Sequence, residues 1–193
     1  MLRKFLGIDE PTTGAAQPAP DAATAAAPAG SAAETATVRQ IVGRLESLPP
    51  DEARYLACFA YVMSRAAQAD LTVSDDETAV MERFAAEYGG LDESQAVLVV
   101  GMAKLSAVAY GATEDYVVTR EFKKISTMEQ RVQLIRCCFA ITATDKTINA
   151  NEASVVNEIA KELDIERSDL NAVRDEFHEQ LSSVQALRKA TGA

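Results

Sequence analysis

The segment DLTVSDDE at residues 70–77 recurs 75 positions later as DKTINANE at residues 145–152. Both copies read D-x-T-[V/I]-[S/N]-x-x-E, and each follows an apolar run of helical period and precedes an amphipathic one. A similarity that returns at a fixed interval is typical of a duplicated structural unit. We therefore predict two related helical units, each built around one acidic turn. These turns are called the first corner (residues 70–77) and the second corner (residues 145–152).

Composition and charge favour a helical protein and exclude one class of function. Apolar residues make up 48% of the 193-residue chain and aromatic residues 6%, which suits a packed all-α domain better than a β-sandwich. The formal net charge is −10, whereas a nucleic-acid groove needs clustered Lys and Arg. We therefore expect an all-α protein that does not bind nucleic acid.

The spacing of apolar residues predicts a helical bundle of about seven to eight helices over residues 36–190. The bundle is expected to contain two pseudo-symmetric three-helix repeats, at about residues 51–109 and 127–184. A helix over residues 94–109 is apolar on nearly every side and is predicted to be central. The last helix is predicted to run unbroken from Leu170 to Val184.

Residues 1–35 are predicted to lie outside the helical domain. They hold a short basic-apolar head, MLRKFLGI, and an Ala/Pro-rich segment without large apolar residues, which predicts a disordered linker. The head is either a docking peptide for a membrane surface or partner groove, or an ordinary N-terminus. It is too short for a signal sequence, and no stretch suits a transmembrane helix. With three cysteines in no metal-ligand spacing, we expect a cytoplasmic protein, with peripheral association with the inner membrane left open.

Each corner matches the second half of an EF-hand loop, in which oxygen ligands stand at positions 5, 7, 9 and 12. The first half is missing, because positions 1 and 3 carry no carboxylate, and the usual glycine at position 6 is Leu71 or Lys146. A full calcium site is therefore not expected. A two-carboxylate site for a divalent cation (calcium, magnesium or zinc), completed by water or a third side chain, remains open. The candidate metal ligands are Asp70, Thr72, Ser74 and Glu77 in the first corner and Asp145, Thr147, Asn149 and Glu152 in the second.

The same residues also have a purely structural interpretation. Ser74-x-x-Glu77 and Asn149-x-x-Glu152 each match a capping box, in which two side chains satisfy the free N–H groups of a helix start. The leading aspartate of each corner could stabilise the turn by Asx-type bonding. The first corner carries four carboxylates in eight residues, whereas the second carries two and a lysine. If a single corner binds a cation, we expect it to be the first.

The repeated unit resembles the tellurite-resistance TerB-like family. The residues that carry this resemblance are Ala67-Gln68-Ala69-Asp70 to Glu77, Thr142-Ala143-Thr144-Asp145 to Glu152, and LDIERSDL at residues 163–170. The resemblance covers about residues 50–180. It implies an all-helical domain with two facing halves, without enzymatic activity, which acts in tellurite or stress response. It also implies metal binding at the acidic corners and work with membrane-bound partners.

This chain departs from the family pattern at one position of each corner. The family usually has glycine after the aspartate, where this chain has Leu71 and Lys146. A related helical domain occurs in some DnaJ-like co-chaperones. Their H-P-D signal is absent here, because the single histidine, His178, is followed by Glu179-Gln180.

Other candidate chemistry in the sequence is weaker. Cys137 and Cys138 lie mid-helix, so we expect one thiol to face the core and the other its flank. They are either a thiol pair that meets tellurite or buried inert residues. The chain contains no P-loop, no G-x-S-x-G motif and no histidine pair for a zinc enzyme. We therefore expect no enzymatic activity.

Two functions remain open from the sequence. The first is an accessory module in tellurite or stress response that binds divalent cations at its corners and engages a protein partner, either free or membrane-associated. The second is a plain helical protein-interaction or co-chaperone-like domain whose acidic corners are only helix caps.

Overall fold

The computed structural model describes residues 29–67, 75–106, 112–144 and 146–191, with the backbone alone described at 29–35, 75–77, 105–106 and 112–115. These residues form nine α-helices, one 3₁₀ turn and a single isolated β-bridge, so the all-α prediction is confirmed. The helices are α1 (Ala29–Ser47), α2 (Pro50–Ala66), α3 (Asp75–Glu87), α4 (Glu93–Ser106), α5 (Ala112–Ile125), α6 (Met128–Thr142), α7 (Ala150–Glu162), α8 (Arg167–Glu176) and α9 (Ser182–Thr191).

The helical region begins earlier than predicted. Helix α1 starts at Ala29, before the expected domain start at residue 36. Three of the seven residues from 29 to 35 are alanine, which has the highest intrinsic helix propensity. Residues 1–28, which include the basic-apolar head, lie outside the described residues. The remainder of that domain division therefore stays a prediction.

The predicted last helix is two helices with a break between them. Helix α8 ends at Glu176, a 3₁₀ turn covers His178–Gln180, and Leu181 is extended (φ −64°, ψ 123°) before α9 starts. The break occurs because the backbone around Leu181 forms a parallel bridge with Ile148, and a continuous helix would use those backbone groups internally. The prediction of an unbroken helix was wrong, and the extra helix accounts for the higher count among the described residues.

Helix α2 lies at the centre of the bundle, and the predicted central helix, α4, packs against it. Twelve of the seventeen residues of α2 are buried, many of them small, and neighbours can therefore approach it on several sides. Helix α4 buries Leu98, Val99, Val100 and Met102 but leaves Val97 38% exposed. Apolar content alone suggested α4, whereas the small side chains of α2 decide which helix the others pack around.

Several helix ends carry the capping signals that the sequence predicts. Pro50 occupies the first turn of α2, and Thr127 forms a capping box with Gln130 at the start of α6. Asp92 accepts a hydrogen bond from the Gln95 backbone N–H and so caps α4.

A buried ion pair joins the two predicted units. Arg65, at the last turn of α2, donates to Glu162 at the end of α7 through Nη1 (2.8 Å) and Nη2 (3.3 Å). Its Nη1 also donates to the Thr119 hydroxyl of α5 at 2.7 Å. Burial raises the pKa of Glu162. Hydrogen bonds from Arg65 and Thr119, together with the charge of Arg65, lower this pKa by more than burial raises it, so the net shift is downward. The pair fixes α2, α5 and α7 relative to one another.

The element bounds repeat at the interval found in the sequence. Helices α3 and α7 both have thirteen residues and begin 75 positions apart, at Asp75 and Ala150. The same offset of 75 residues relates α2 to α6 and α3 to α7. The contact of α2 with α7 therefore corresponds to the contact of α6 with α3, and both contacts are present. Superposition of the two halves stays a prediction. Within the described ranges, no helix combines the length and apolar character needed to cross a membrane.

Replacing Glu162 with glutamine tests the ion pair and its pH dependence. Because the folded pKa of Glu162 lies below its ordinary value of 4.5, the stabilisation is present above that value and is lost as the pH falls through the folded pKa. We expect Glu162→Gln to lower the free energy of unfolding by about 2–3 kcal/mol at pH 7, because it leaves Arg65 buried without its counter-charge. Urea unfolding should show that the difference in unfolding free energy between the parent and Glu162→Gln becomes smaller below pH 4.5.

Glu158→Gln, an exposed change on the same helix, is the matched control and should change stability by less than about 0.5 kcal/mol. The stabilising role of the ion pair would be contradicted if Glu162→Gln were as stable as the parent at pH 7. It would also be contradicted if the difference in unfolding free energy between the two proteins did not depend on pH.

Candidate metal centre at the two corners

The described part of the second corner begins with a residue in the left-handed backbone region. Lys146 has φ 62°, and its N–H donates to the carbonyl of Ala143 at 2.9 Å, just after the end of α6. Position 6 of an EF-hand loop requires glycine for the sharp turn made there, and the left-handed region is disfavoured for residues with a Cβ. The lysine therefore adopts the conformation that glycine would take, and the departure from the family pattern leaves the turn in place.

Ile148 connects this turn to the C-terminal part of the chain. Its N–H donates to the Gln180 carbonyl at 2.6 Å, and its carbonyl accepts from the Ser182 N–H at 2.9 Å. The Ile148 side chain is buried. These contacts hold the extended part of the corner between α6 and α7.

Asn149 and Glu152 form the capping box that the sequence predicts. The Asn149 Oδ1 accepts from the N–H groups of Asn151 (2.9 Å) and Glu152 (3.0 Å), and the Glu152 Oε2 accepts from the Asn149 N–H at 2.8 Å. Free N–H groups at the start of α7 are thereby satisfied. The structural interpretation of this corner is confirmed for these two residues.

Thr147 is oriented by a residue far along the chain. Its hydroxyl contacts Gln185 Oε1 at 3.1 Å, and Gln185 Nε2 donates to the carbonyls of Lys146 (2.8 Å) and Glu179 (3.1 Å). Gln185 is not predicted from the sequence as a contact of this corner, because it lies in α9 and nothing in its local sequence links it to the corner. A helix break after Glu176 would have been the signal that brings Gln185 back to the corner. The apolar residues keep a helical spacing across that break, so the sequence does not reveal it.

The remaining predicted ligands cannot be placed. Asp70, Thr72, Ser74 and Asp145 lie outside the described residues, and Glu77 is described only by its backbone, in the first turn of α3. The structure thus brings Asn149 and Glu152 together and places Thr147 beside them in the same turn. The first corner as a metal site stays a prediction.

The described part of the second corner is poor in negative charge. In the described part of the chain, no group of three or more His, Cys, Asp and Glu side chains is placed to hold a metal ion. Glu152 is the carboxylate described in this corner, and the positive charge of Lys146 lies in the same turn. A divalent cation here would depend on Asp145 for a second carboxylate, and it would compete with the capping hydrogen bond of Glu152.

The three cysteines are buried free thiols. All three are buried, including both members of the adjacent pair, so the expectation that one would lie on the flank was wrong. Both are buried because α6 contacts α2, α3, α7 and α8 and so has neighbours on several sides. Burial raises the pKa of Cys58 and of Cys138 to about 12 and that of Cys137 well above its ordinary value. The thiolate, which is the nucleophile, is therefore disfavoured at pH 7.

An open cleft of about 360 Å³ lies elsewhere in the bundle, lined by Glu52, Tyr55, Gly90, Leu91, Gln95, Ile125, Gln130 and Gln133. The carboxylate of Glu52 accepts a hydrogen bond from Gln95 at 2.8 Å, and burial raises the pKa of Tyr55 to about 12. General acid–base catalysis needs a group that titrates near the working pH, and Tyr55 does not.

The comparisons with known proteins agree with the resemblance in the sequence. A family model described as "Tellurite resistance protein TerB" matches residues 56–175, more than half of the chain. The matched range includes both corners and α3 to α7 entire. TerB is a non-catalytic helical domain family. Comparisons with curated proteins and with solved structures gave no match.

Replacing Asn149 with alanine tests the cap of the second corner. The change removes the acceptor for two backbone N–H groups, and we expect the free energy of unfolding to fall by about 1 kcal/mol. Thr127→Ala, at the capping box that starts α6, is the matched comparison and should cost a similar amount. Chemical denaturation measures both, and an unchanged stability for Asn149→Ala would show that the cap contributes nothing.

Proposed function

This chain belongs to the tellurite resistance TerB family, and on that premise we propose that it is a non-enzymatic accessory module in tellurite or stress response. In this proposal the two acidic corners bind divalent cations (calcium, magnesium or zinc), and another surface engages a protein partner. The observation that carries the proposal is the left-handed turn at Lys146 (φ 62°) followed by an extended residue and a Glu-containing helix start. That sequence of conformations suits the second half of a cation-binding loop.

The two corners are proposed to differ in affinity. The first corner has Asp70, Asp75, Asp76 and Glu77 within eight residues, whereas the second offsets Asp145 and Glu152 with Lys146. Carboxylate oxygens are the preferred ligands of calcium and magnesium, and affinity rises with the number of charged ligands. We therefore assign the tighter site to the first corner and the weaker site to the second.

A bound cation would supply positive charge that draws the carboxylates of one corner together. Each corner lies between two helices, α2 and α3 or α6 and α7, so a cation would stabilise the angle between them. Arg65 and Glu162 join the helix that leads into the first corner to the helix that leaves the second. A change at either corner would therefore reach the packing of both units.

Partner engagement is supported by the distribution of exposed apolar side chains. Tyr116 is 57% exposed, Met128 42% and Val117 39%, and all three lie on α5 or at the start of α6. Exposed aromatic and Met side chains are enriched at protein interfaces. We propose this region as the surface that a partner protein contacts.

The alternative function is favoured by a specific observation. Glu152 and Asn149 already satisfy the backbone at the start of α7, so the second corner has a complete structural role without a cation. In that case the protein is a plain helical interaction or co-chaperone-like domain, and its corners are caps.

Charge-removing variants at the corners separate the two functions. Glutamine can replace glutamate in a capping box, so Glu152→Gln and Glu77→Gln keep the cap while removing the carboxylate charge. If the corners bind cations, each variant should bind the cation at its own corner at least tenfold more weakly than the parent does. The free energy of unfolding of each variant should change by less than about 0.5 kcal/mol. Isothermal titration calorimetry and denaturation measure the two quantities.

Glu158→Gln, which removes a charge from α7 outside the corner, should leave binding unchanged. A parent protein that gives no heat and no amide shifts at residues 70–77 and 145–152 with millimolar cation would reject the cation function and leave the alternative.

Replacing Lys146 with glycine should improve the second site. The change removes a positive charge beside the proposed ligands and relieves the left-handed strain of a residue with a Cβ. We expect cation affinity at this corner to rise at least tenfold, read from amide shifts of Ile148 to Glu152. Asp164→Gly, at the other non-glycine residue with positive φ (53°), should not change affinity. An unchanged affinity for Lys146→Gly would contradict a cation site at this corner.

A further inference from the structure

We propose that the open cleft between the starts of α2, α4 and α6 binds the guanidinium group of an arginine side chain that belongs to a partner protein. The guanidinium site is argued from the cleft itself, whereas the partner that supplies the arginine rests on the proposed function. The cleft has a volume of about 360 Å³, which lies near the lower end of the range typical of ligand pockets. This size suits one long side chain rather than a whole segment of a partner.

Three helix starts converge on the cleft. Glu52, Gln95 and Gln130 line it, and each is the third residue of its helix, α2, α4 or α6. Gln95 Nε2 donates to Glu52 Oε1 at 2.8 Å, and Gln95 Oε1 accepts from the Asp92 N–H at 3.0 Å. Gln130 Oε1 accepts from the Thr127 N–H at 2.8 Å. These bonds orient the three side chains before any ligand arrives, which lowers the entropic cost of binding.

Several oxygen acceptors of the lining are free to bind a ligand. Within the described residues, neither the Tyr55 hydroxyl nor the Gln133 carboxamide has a hydrogen-bond partner, and Glu52 Oε2 has none either. Burial raises the pKa of Tyr55 to about 12, so its hydroxyl is neutral at pH 7 and can accept a hydrogen bond. The lining thus offers one carboxylate oxygen and two neutral oxygens to a ligand that carries several donors.

Gly90 makes room for the Gln133 carboxamide at the edge of the cleft. The glycine has φ 67°, in the left-handed region that residues with a Cβ rarely adopt. A Cβ at this position would lie 2.9 Å from Gln133 Oε1 and 3.0 Å from Gln133 Nε2. The glycine therefore lets this carboxamide lie close to the backbone, and a larger residue would displace it.

The charge around the cleft favours a cation. Each helix start carries a partial positive charge of roughly half an elementary charge, which alone would attract an anion. The same three starts carry five carboxylates, and these outweigh the partial charges. They are Asp51, Glu52, Asp92, Glu93 and Glu129. Among the described residues that line the cleft, none is a lysine or an arginine.

The first basic side chains of α2 and α6 are engaged outside the cleft. Arg54 pairs with Glu121 at 2.6 Å, and Arg131 donates to three backbone carbonyls that do not line the cleft. In the described part of the chain, Glu52 has no ion pair. Its carboxylate therefore lacks a counter-charge, which a cationic ligand would supply.

A guanidinium group fits these acceptors better than an ammonium group does. The guanidinium is planar and presents five N–H donors in fixed directions, so one group can bond to a carboxylate and to neutral oxygens at the same time. An ammonium group is a compact point charge with three donors, and it is more strongly hydrated. The spread of acceptors over three side chains therefore indicates arginine rather than lysine.

The cleft adjoins the surface proposed for partner engagement. Met128 is 42% exposed and lies in the same first turn of α6 as Gln130. Ile125, at the end of α5, lines the cleft. A partner that contacts Tyr116, Val117 and Met128 is thus placed to insert an arginine beside them, and arginine is enriched among the residues that dominate binding energy at interfaces.

NMR titration of the full chain with N-acetyl-arginine-N-methylamide tests the site without a partner protein or a divalent cation. This blocked amino acid carries the guanidinium group of an arginine residue and no terminal charges. We expect amide shifts at Gly90, Leu91, Gln130 and Gln133 that saturate at millimolar concentration. The blocked citrulline analogue, which has the same shape without the charge, should bind at least tenfold more weakly, and the blocked lysine analogue should also bind more weakly. Absence of saturating shifts, or equal binding of either analogue, would overturn the guanidinium site.

Charge-removing variants test the role of the carboxylate. Glu52→Gln keeps an acceptor for Gln95 and should weaken binding of the blocked arginine roughly tenfold. Asp51→Asn removes one charge from the same turn outside the lining, so it is the matched control and should change the affinity by less than about twofold. Gln133→Ala, a second variant without loss of charge, should weaken binding about threefold. Unchanged affinity in both lining variants, or an equal loss in Asp51→Asn, would overturn the site.

Free arginine distinguishes a protein side chain from a small molecule as the source of the guanidinium group. A site for an arginine residue should bind the blocked arginine at least as tightly as free arginine. Tighter binding of free arginine would overturn the partner assignment and identify a small-molecule site. The cation titrations at the two corners are decided separately, so a failure there leaves this result standing, and a failure here leaves the cation function standing.

Discussion

The buried guanidinium of Arg65 is the constraint on which the rest of the structure depends. Arg65 is 8% exposed, and a buried charge without partners is strongly destabilising. Glu162 and Thr119 supply those partners, so the ends of α2 and α7 and the middle of α5 must meet. Apolar packing could tolerate several arrangements of these helices, whereas the geometry of two-point hydrogen bonding tolerates few.

This constraint reaches the corners because of where its partners lie. Arg65 is the last residue but one of α2, the helix that leads into the first corner, and Glu162 ends the helix that the second corner starts. The second corner is held in turn by its cap and by the backbone bridge between Ile148 and Leu181. Function is therefore proposed at turns whose flanking helices are tied together. The described part of the second turn is held by polar contacts that a ligand can change.

Much of the fold follows from the sequence, and the exceptions have physical causes. The helix starts at Pro50, Thr127 and Asn149 were predictable because capping and first-turn preferences are local. The break near Leu181 was not predictable, because it depends on a bridge to Ile148, 33 positions earlier in the chain. The central place of α2 was not predicted, because it depends on small residues that let neighbouring helices approach closely and not on hydrophobicity alone.

The candidate site was predicted in part. The cap formed by Asn149 and Glu152 follows from the residue types and their spacing. The left-handed backbone of Lys146 does not, because a lysine gives no local signal for positive φ. The role of Gln185 also required the three-dimensional structure. The family pattern does give a signal, since its glycine at the position of Lys146 marks where the backbone must turn.

The most direct test of the account is an anomalous difference map from crystals of the full chain grown with manganese, which binds the oxygen ligands preferred by magnesium and calcium. We expect a strong peak beside the carboxylates of the first corner and a weaker one between Thr147 and Glu152. A map without a peak at either corner, with Glu152 still bonded to the Asn149 N–H, would contradict it and identify both corners as helix caps.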